Sequence, residues 1–298
     1  MIRPARAEDL AAIVDVCAQS LIHDVPDASR FPELLGESPY SGPSLRLVAE
    51  DDHGVVGVSL AALRNEGEGP AVGYVDLLAV APRVQRKGAG RSLLAASEEV
   101  LTQAGAVEVR LGGNAPCYVW PGIDPAYSPA VELATSAGYQ ECGDAFNMAV
   151  NLTPATVDTT PDEERLREAG ISVRALQLSD QPSFSSWVAE HWNRDWAWEA
   201  SRALRINGAA CYVATREAGF VGFAAGGCAR PGWFGPMGTV PAEQKRGIGS
   251  VLLRRCLTDD LSAGRTSSTI AWVGPADFYK RTVGATVDRV FKMYRKSL

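Results

Sequence analysis

Two glycine-rich segments have the residue types and spacing needed to bind a phosphate. Gln85-x-x-Gly88-x-Gly90 recurs as Gln244-x-x-Gly247-x-Gly249, and 159 residues separate Gln85 from Gln244. Glycine lets the backbone approach a ligand closely, because no Cβ stands in the way. Four cationic side chains adjoin the glycines: Arg86, Lys87, Lys245 and Arg246. The sequence therefore predicts two phosphate-binding turns in one chain.

The elements around each segment would position its backbone for this task. Val75–Val80 has the β-branched and apolar composition of a strand, and Pro82 ends it. Apolar residues at helical spacing follow both glycine segments. A strand, a glycine turn and a helix together direct free N–H groups and a helix dipole at an anion. The alternative is a strand-to-helix turn that is glycine-rich for structural reasons only. The duplication of the motif argues against this alternative.

The paired motifs resemble the acetyl-CoA loop of the GNAT N-acetyltransferase superfamily. The resemblance covers nearly the whole chain as two consecutive copies, and tandem arrangements of this sort are familiar from mycothiol synthase-like enzymes. It implies an α/β (α+β) chain of two GNAT folds, each a mixed, splayed sheet flanked by helices, with acetyl-CoA as co-substrate and no metal. The implied acetyl-CoA residues of the first half are Leu78, Ala79, Val80, Gln85, Arg86, Lys87, Gly88, Ala89, Gly90 and Arg91. Those of the second half are Thr239, Val240, Gln244, Lys245, Arg246, Gly247, Ile248, Gly249 and Ser250.

The domain organisation follows from the repeat and from composition. Residues 151–161 have the composition of a linker, and a short charged helical stretch follows them. We expect an N-terminal domain at 1–152, a linker with a short helix at 153–170 and a C-terminal domain at 171–298.

The resemblance also implies a general acid, a tyrosine near the start of a late helix. Phe278 and Tyr279 precede Gly284 in this pattern, with one residue more than the family spacing. The first half has Leu133 or Ala134 at the corresponding position, and Tyr127 would have to reach the site from a loop. We therefore expect catalysis by Tyr279 in the second half and a degenerate or regulatory first half. The alternative is a Tyr279 that packs under the CoA as a structural residue.

The sequence does not identify a single general base for the acceptor amine. The family's glutamate position falls on Tyr74 and Trp233, and Asp76 lies in the half without the acid. In the second half, His191 or Asp195 could remove a proton from the amine, because an imidazole titrates near neutral pH. Three tryptophans are candidates to bind the acceptor: Trp192, Trp196 and Trp233. The alternative is that the tryptophans belong to the core and the charges are solvated.

Composition limits the partners. The net charge of -6 and pI near 5.3 argue against nucleic acid. The sequence contains no signal-like or membrane-spanning apolar stretch, and its six cysteines are scattered. We expect a cytoplasmic monomer or homodimer without a metal or membrane partner that acetylates a small-molecule amine. The alternatives are acetylation of a peptide or protein amine and a non-catalytic acyl-CoA-binding protein.

Overall fold

The structure is a computed structural model that describes residues 1–25, 27–65, 69–217 and 219–298. It divides the chain into two compact units. The first contains Met1–Ala145 and Val290–Leu298, and the second contains Phe146–Arg289. Within the described ranges, no helix is long and apolar enough to cross a membrane.

Both units contain helices and strands. Up to the unit boundary they are β1 (Ile2–Pro4), α1 (Leu10–Ser20), α2 (Phe31–Gly36), β2 (Ser41–Asp51), β3 (Gly54–Arg64), β4 (Ala71–Val80), α3 (Ala89–Gln103), β5 (Ala106–Leu111), α4 (Ser128–Ser136) and β6 (Gln140–Asn151), which crosses it. The remaining elements are α5 (Pro154–Val157), α6 (Thr160–Glu168), β7 (Ser172–Ala175), α7 (Gln181–His191), α8 (Arg194–Ser201), β8 (Ala210–Arg216), β9 (Gly219–Gly226), β10 (Trp233–Thr239), α9 (Ile248–Ser262), β11 (Ser267–Ile270), α10 (Ala276–Val283) and β12 (Thr286–Ser297).

Each unit contains a mixed sheet, as predicted. In the first unit the strand order is β1-β2-β3-β4-β5-β12, and in the second it is β7-β8-β9-β10-β11-β6. The β4–β5 and β10–β11 pairs are parallel, whereas the other pairs described within each unit are antiparallel. A parallel pair needs a crossover, and α3 and α9 provide it.

The units differ in extent from the sequence-based domains 1–152 and 171–298. The boundary falls after Ala145, and the 153–170 segment belongs to the second unit because Val157 and Leu166 are buried in its core. Residues Val290–Leu298, which include most of β12, belong to the first unit because Tyr294–Ser297 pair with β5. A composition-based boundary cannot reveal such long-range pairing.

Replacing Tyr294 by alanine is expected to destabilise the first unit. Tyr294 is buried against Leu101 and Val109 of that unit's core, and removing a buried aromatic ring costs about 3 kcal/mol or more. Hydrogen exchange should accelerate at β5 amides and remain unchanged in β9. Val290→Ala is the control, because Val290 is exposed and its replacement should change the free energy of unfolding by less than about 0.5 kcal/mol. Faster exchange in β9 alone would contradict the prediction.

Candidate active site

The first glycine turn begins where β4 ends. A single 3-10 turn follows the strand, and Gln85 Nε2 then donates a hydrogen bond to the carbonyl oxygen of Val80 at 2.8 Å. Arg86 and Gly88 both have left-handed backbone conformations, with φ of 60° and 93°. Gly88 is the N-cap of α3, so the turn directs the backbone from the sheet edge into the helix.

This turn has the features of an anion receptor. The first N–H groups of a helix have no partner within it, and the first backbone bond to the cap joins Ser92 N–H to the Gly88 carbonyl at 3.0 Å. A Cβ at Gly88 would have no described heavy atom within 4 Å, so the backbone is open on that side. Arg91 lies in the first turn of α3, where its charge adds to that of the helix dipole. The residues present therefore fit a bound pyrophosphate.

β4 and β5 separate just before this turn. Their parallel pairing runs from Ala71↔Ala106 to Val75↔Leu111, whereas β4 continues to Val80. Residues 76–80 therefore have no β5 partner, and their backbone groups border an opening between the strands. The predicted splay is present in the first unit.

A cavity of about 700 Å³ extends from the glycine turn along this opening. Most of its lining side chains are apolar, including Leu78, Leu94 and Ile123. Gln85, Arg86, Gly88, Gly90 and Arg91 border it as well. A pocket of this size and composition is suited to a small ligand that places a phosphate at the turn.

A group of hydrogen-bonded side chains borders the same cavity. The Tyr127 hydroxyl donates to Asp24 Oδ2 at 2.7 Å and accepts from the His23 backbone N–H at 3.1 Å. Trp120 Nε1 donates to both carboxylate oxygens of Asp24 at 3.2 Å. His23, Trp120 and Tyr127 line the cavity, and Asp24 is buried behind them. The structure thus brings a phenol into the half where sequence analysis found no proton donor at the family spacing.

Tyr127 reaches the cavity because it directly precedes α4 and caps its N-terminus. The family spacing before Gly138 points to Leu133 or Ala134, and both of these residues lie inside the helix. The signal that could have identified Tyr127 is its place before Ser128 and Pro129, which are typical of a helix start.

A second carboxyl group, that of Asp76, also lines the cavity. Asp76 is the extra residue of a β-bulge, since Leu60 pairs with Leu77 and Ala61 with Val75. Its Oδ2 accepts a hydrogen bond from Asn114 Nδ2 at 3.0 Å. Burial raises the pKa of Asp76 well above its ordinary range, an effect that the Asn114 hydrogen bond and the charge of Arg64 only partly oppose.

The second glycine turn has the same backbone as the first. Gln244 Nε2 donates to the Thr239 carbonyl at 3.3 Å, Lys245 has φ of 62° and Gly247, the N-cap of α9, has φ of 87°. Pairing of β10 with β11 reaches Phe234↔Ile270, and β10 continues to Thr239. The remaining residues assigned to this turn lie in it or in the first turn of α9: Val240, Arg246, Ile248, Gly249 and Ser250.

A cation from α6 covers this second turn. A Cβ at Gly247 would lie only 2.4 Å from Arg165 Nη2, and Arg165 Nη1 donates to the Arg246 carbonyl at 2.8 Å. α6 is fixed to α9 by ion pairs, one of which joins Asp162 to Arg254 at 3.1 Å. The two turns therefore differ in access, because the backbone side that is open at Gly88 is occupied at Gly247 by the chain's own guanidinium.

Tyr279, the sequence-predicted acid, lies in α10 and is mostly buried in the core that contains Val251, Leu252 and Phe234. Burial raises the pKa of Tyr279 to about 12. Among the described residues, its hydroxyl has no hydrogen-bond partner. Its environment is therefore that of a neutral phenol.

The predicted acceptor residues of the second half belong to a different cluster. Trp192 and Trp196 pack in the core under α7 and α8 with Phe223, whereas the adjacent Ala224 belongs to the core that contains Tyr279. Neighbouring strand residues point to opposite faces, so these clusters lie on opposite sides of the sheet. Trp192 lies over β10, because a Cβ at Gly238 would be 2.3 Å from its ring.

The other candidates of the second half surround this cluster. His191 is exposed at the end of α7 and bonds through Nδ1 to the Trp187 carbonyl oxygen at 2.9 Å, whereas Asp195 is in the first turn of α8. Trp233 begins β10, under the guanidinium of Arg230. No group of three or more potential metal-ligating side chains is found among the residues that the structure describes.

Comparison with known proteins gives one family match. The model of the acetyltransferase (GNAT) family matches residues 15–116. No curated protein matches the sequence significantly.

Solved structures resemble the whole chain. A glucosamine N-acetyltransferase region of a fungal multi-domain GH3 β-N-acetylglucosaminidase has a TM-score of 0.78 and 19% identity, covering 99% of this chain and 38% of that one. This chain thus spans little more than a third of the fungal protein. A tandem GNAT protein from the clavulanic acid biosynthesis pathway has a TM-score of 0.71 and 16% identity, covering 100% and 98% of the two chains. A GCN5-related N-acetyltransferase from Sphaerobacter thermophilus has a TM-score of 0.68 and 20% identity, covering 100% and 95%. The predicted fold class of two consecutive GNAT folds is confirmed.

Proposed function

We propose that this chain transfers an acetyl group from acetyl-CoA to the amine of a small molecule, with the reaction in its first domain. The match of residues 15–116 to the GNAT acetyltransferase family model and the fold of two consecutive GNAT domains support the proposal. The family indicates an acyltransferase. The position of Tyr279 in the sequence favours the second domain for the chemistry. The two domains have the same turn geometry, so the choice between them depends on what surrounds each turn.

The observation that carries the proposal is the cavity of about 700 Å³ in the first domain. It joins an open anion-binding turn, the segment 76–80 of β4 that has no partner on β5, and the side chain of Tyr127. These are the three elements that acyl transfer from a thioester to an amine requires: an anchor for the nucleotide, donors for the carbonyl oxygen and a proton for the leaving sulfur.

The role of each element follows from its chemistry. Acetyl-CoA supplies a thioester, an activated acyl group. Free N–H groups at the start of α3, with Arg91, would hold its pyrophosphate. Backbone N–H groups of β4 that point to the side without a β5 partner would stabilise negative charge on the carbonyl oxygen, because they are fixed before the reaction begins.

Tyr127 would give a proton to the sulfur. Its hydroxyl can rotate about the C–O bond from Asp24 towards the leaving group, while Trp120 continues to donate to Asp24.

The proposed acceptor is a metabolite-sized amine. The cavity of about 700 Å³ has the size of a site for a small ligand, and the acidic chain suits a neutral or cationic acceptor. One structural relative acts on glucosamine, which makes an amino sugar a useful first substrate. We retain the cytoplasmic monomer or homodimer as part of the proposal.

A second candidate places the reaction in the second domain, with Tyr279 as the acid and His191 or Asp195 as the base. The unpartnered hydroxyl of Tyr279 favours it. The guanidinium of Arg165 lies over Gly247, so a pyrophosphate there would have to move this half-exposed side chain or bind to it, whereas the turn at Gly88 is open without such a movement.

Thiol release from acetyl-CoA, measured with a panel of alkylamines, amino sugars, arylamines and peptides, tests the proposal. We expect release with at least one small amine, together with an acetylated product in the mass spectrum. Release with peptides only would favour the alternative of a peptide acceptor. Binding of acetyl-CoA without release across the panel would favour a non-catalytic acyl-CoA-binding protein.

A further inference from the structure

We propose that Trp120 selects the acceptor by packing its indole against a ring that carries the amine. This inference rests on the proposed function and gives it a substrate class, a primary amine on or beside an aromatic or saturated ring. It also assigns a specificity role to a residue that lies outside the second-half set Trp192, Trp196 and Trp233.

The loop that carries Trp120 is much longer than its counterpart in the second copy. Residues 112–127, sixteen in number, join β5 to α4, whereas the five residues 271–275 join β11 to α10. The second copy has the same order of strand and helix with the short connection, so the fold does not require the long one. Residues 112–127 are irregular apart from one bridge residue, and irregular loops of this length in compact domains commonly serve a function.

This loop is packed in place against the domain. Cys117 and Val119 are buried, with 0% and 1% of their surface exposed. Ile123 exchanges both backbone hydrogen bonds with Lys292 of β12, at 2.9 and 2.8 Å. A Cβ at Gly122 would lie only 2.5 Å from the Lys292 carbonyl oxygen, so the loop approaches β12 as closely as glycine allows. The loop therefore forms a fixed wall.

Backbone hydrogen bonds place Trp120 beside the opening between β4 and β5. The Gly112 N–H donates to the Val75 carbonyl at 2.9 Å, and the next N–H, that of Gly113, donates to the Trp120 carbonyl at 2.9 Å. Val75 is the last residue of β4 that pairs with β5. Trp120 therefore lies near the start of segment 76–80, where the proposed reaction places the acetyl carbonyl, and its side chain lines the cavity.

The indole of Trp120 is held before any ligand binds. Its Nε1 donates to both carboxylate oxygens of Asp24 at 3.2 Å, and its ring makes edge-to-face contacts with Phe31 and Tyr127, at centroid distances of 5.2 and 6.4 Å. Nε1 is the only polar atom of the indole, so the ring offers a ligand apolar and π contact alone. A fixed aromatic ring also loses little conformational entropy on binding.

Two further rings make the cavity wall suited to a cyclic ligand. His23 and Tyr127 line the cavity with Trp120, and their rings meet edge to face at 4.9 Å. Aromatic side chains recognise other rings by stacked or edge-to-face contact. A cyclic amine is itself rigid, so it would lose less conformational entropy on this wall than a linear amine of equal size.

Trp120→Leu, assayed with two matched pairs of amines, is the test. Benzylamine is compared with n-heptylamine, which has the same number of carbons, and glucosamine with glucosaminitol, its reduced open-chain form. In at least one pair we expect the wild type to favour the cyclic amine about tenfold in kcat/KM, and Trp120→Leu to remove this preference. The loss should appear as a higher KM with kcat within about twofold, because packing is equal in the ground and transition states. The pair that shows the preference identifies the ring as aromatic or saturated.

Two control variants separate ring recognition from a structural role. Trp120→Phe keeps an aromatic face and loses the hydrogen bond to Asp24, so it should retain the cyclic preference within about threefold. A role through the Asp24 bond alone would be lost equally in both variants. Trp198→Leu makes the same change at a half-buried indole in the second domain, under the guanidinium of Arg202 at 4.9 Å, and should leave the preference unchanged.

The wild type alone offers a second measurement if Trp120→Leu does not fold. Benzyl alcohol and glucose have the rings of the two cyclic amines without the amino group. We expect one of them to inhibit competitively against the amine at a concentration about tenfold lower than its open-chain counterpart, n-heptanol or sorbitol. Equal inhibition within both pairs would overturn the inference.

The possible failures are distinguishable. If the wild type acetylates cyclic and linear amines equally, or if Trp120→Leu slows both equally, the role of Trp120 is rejected and the acyltransferase remains. If no amine releases thiol, the proposed activity fails. Calorimetric titration of the four amines into the CoA-saturated wild type and Trp120→Leu then decides the inference: tighter binding of a cyclic amine by the wild type alone supports it, and equal binding rejects it.

Discussion

Replacement of Tyr127 by phenylalanine is expected to lower kcat for amine acetylation about 100-fold, while the Kd for acetyl-CoA changes by less than about twofold. The substitution removes only the hydroxyl that donates to Asp24, and it leaves in place the ring of a residue that lines the cavity. The ring can keep its edge-to-face contacts with His23 and Trp120, so the cavity wall should remain intact. Thiol release gives kcat, and calorimetric titration gives Kd.

Tyr279→Phe is the matched control, because it makes the same chemical change at the residue that sequence analysis favoured. Its hydroxyl has no partner among the described residues, so we expect kcat to change by less than about twofold and stability to be nearly unchanged. The opposite pattern, with loss of turnover in Tyr279→Phe alone, would show that the reaction takes place in the second domain.

Gly88→Asp is expected to weaken acetyl-CoA binding about 100-fold, a change of about 2.7 kcal/mol in binding free energy. Aspartate tolerates the left-handed backbone better than most residues, so the turn should still form at φ near 93°. Its carboxylate would stand on the open side of the turn, where the pyrophosphate is expected, and like charges at that distance repel. Calorimetric titration with acetyl-CoA at low and high salt measures the effect.

Gly247→Asp serves as its control in the other turn. There the new carboxylate would meet the guanidinium of Arg165 instead of a ligand, so the affinity for acetyl-CoA in the first domain should not change. We also expect one molecule of acetyl-CoA to bind per wild-type chain. Two molecules bound per chain, with one lost in each variant, would contradict the assignment of the second turn as covered.

The turns themselves were predictable because their function depends on residues close together in sequence. Gln85 and Gln244 close their turns on the preceding strands in the same way, and positive φ recurs at Arg86 and Lys245 in register. The spacing of a few residues is enough to predict geometry of this kind, because all of the residues that form the turn are close together in sequence. The duplication made the pattern recognisable, and the mixed sheet followed from the family resemblance.

The surroundings of the turns were not predictable in the same way. Tyr127 reaches Asp24 across more than one hundred residues, and Arg165 reaches Arg246 across 81. Asp76 was visible as a carboxyl group on a strand, but its burial and its unpartnered oxygen depend on how β5 and the loop after it pack. Access to a site and the protonation of its groups are properties of tertiary packing.

The place of residues 290–298 in the first unit has a consequence during synthesis. The ribosome makes these residues only after all of the second unit. β5 therefore lacks its pairing partner β12 while more than one hundred residues are synthesised. Until then the N–H and C=O groups along Glu108–Leu111 form a bare sheet edge, which invites pairing with other nascent chains. The first half of this protein thus completes its sheet last.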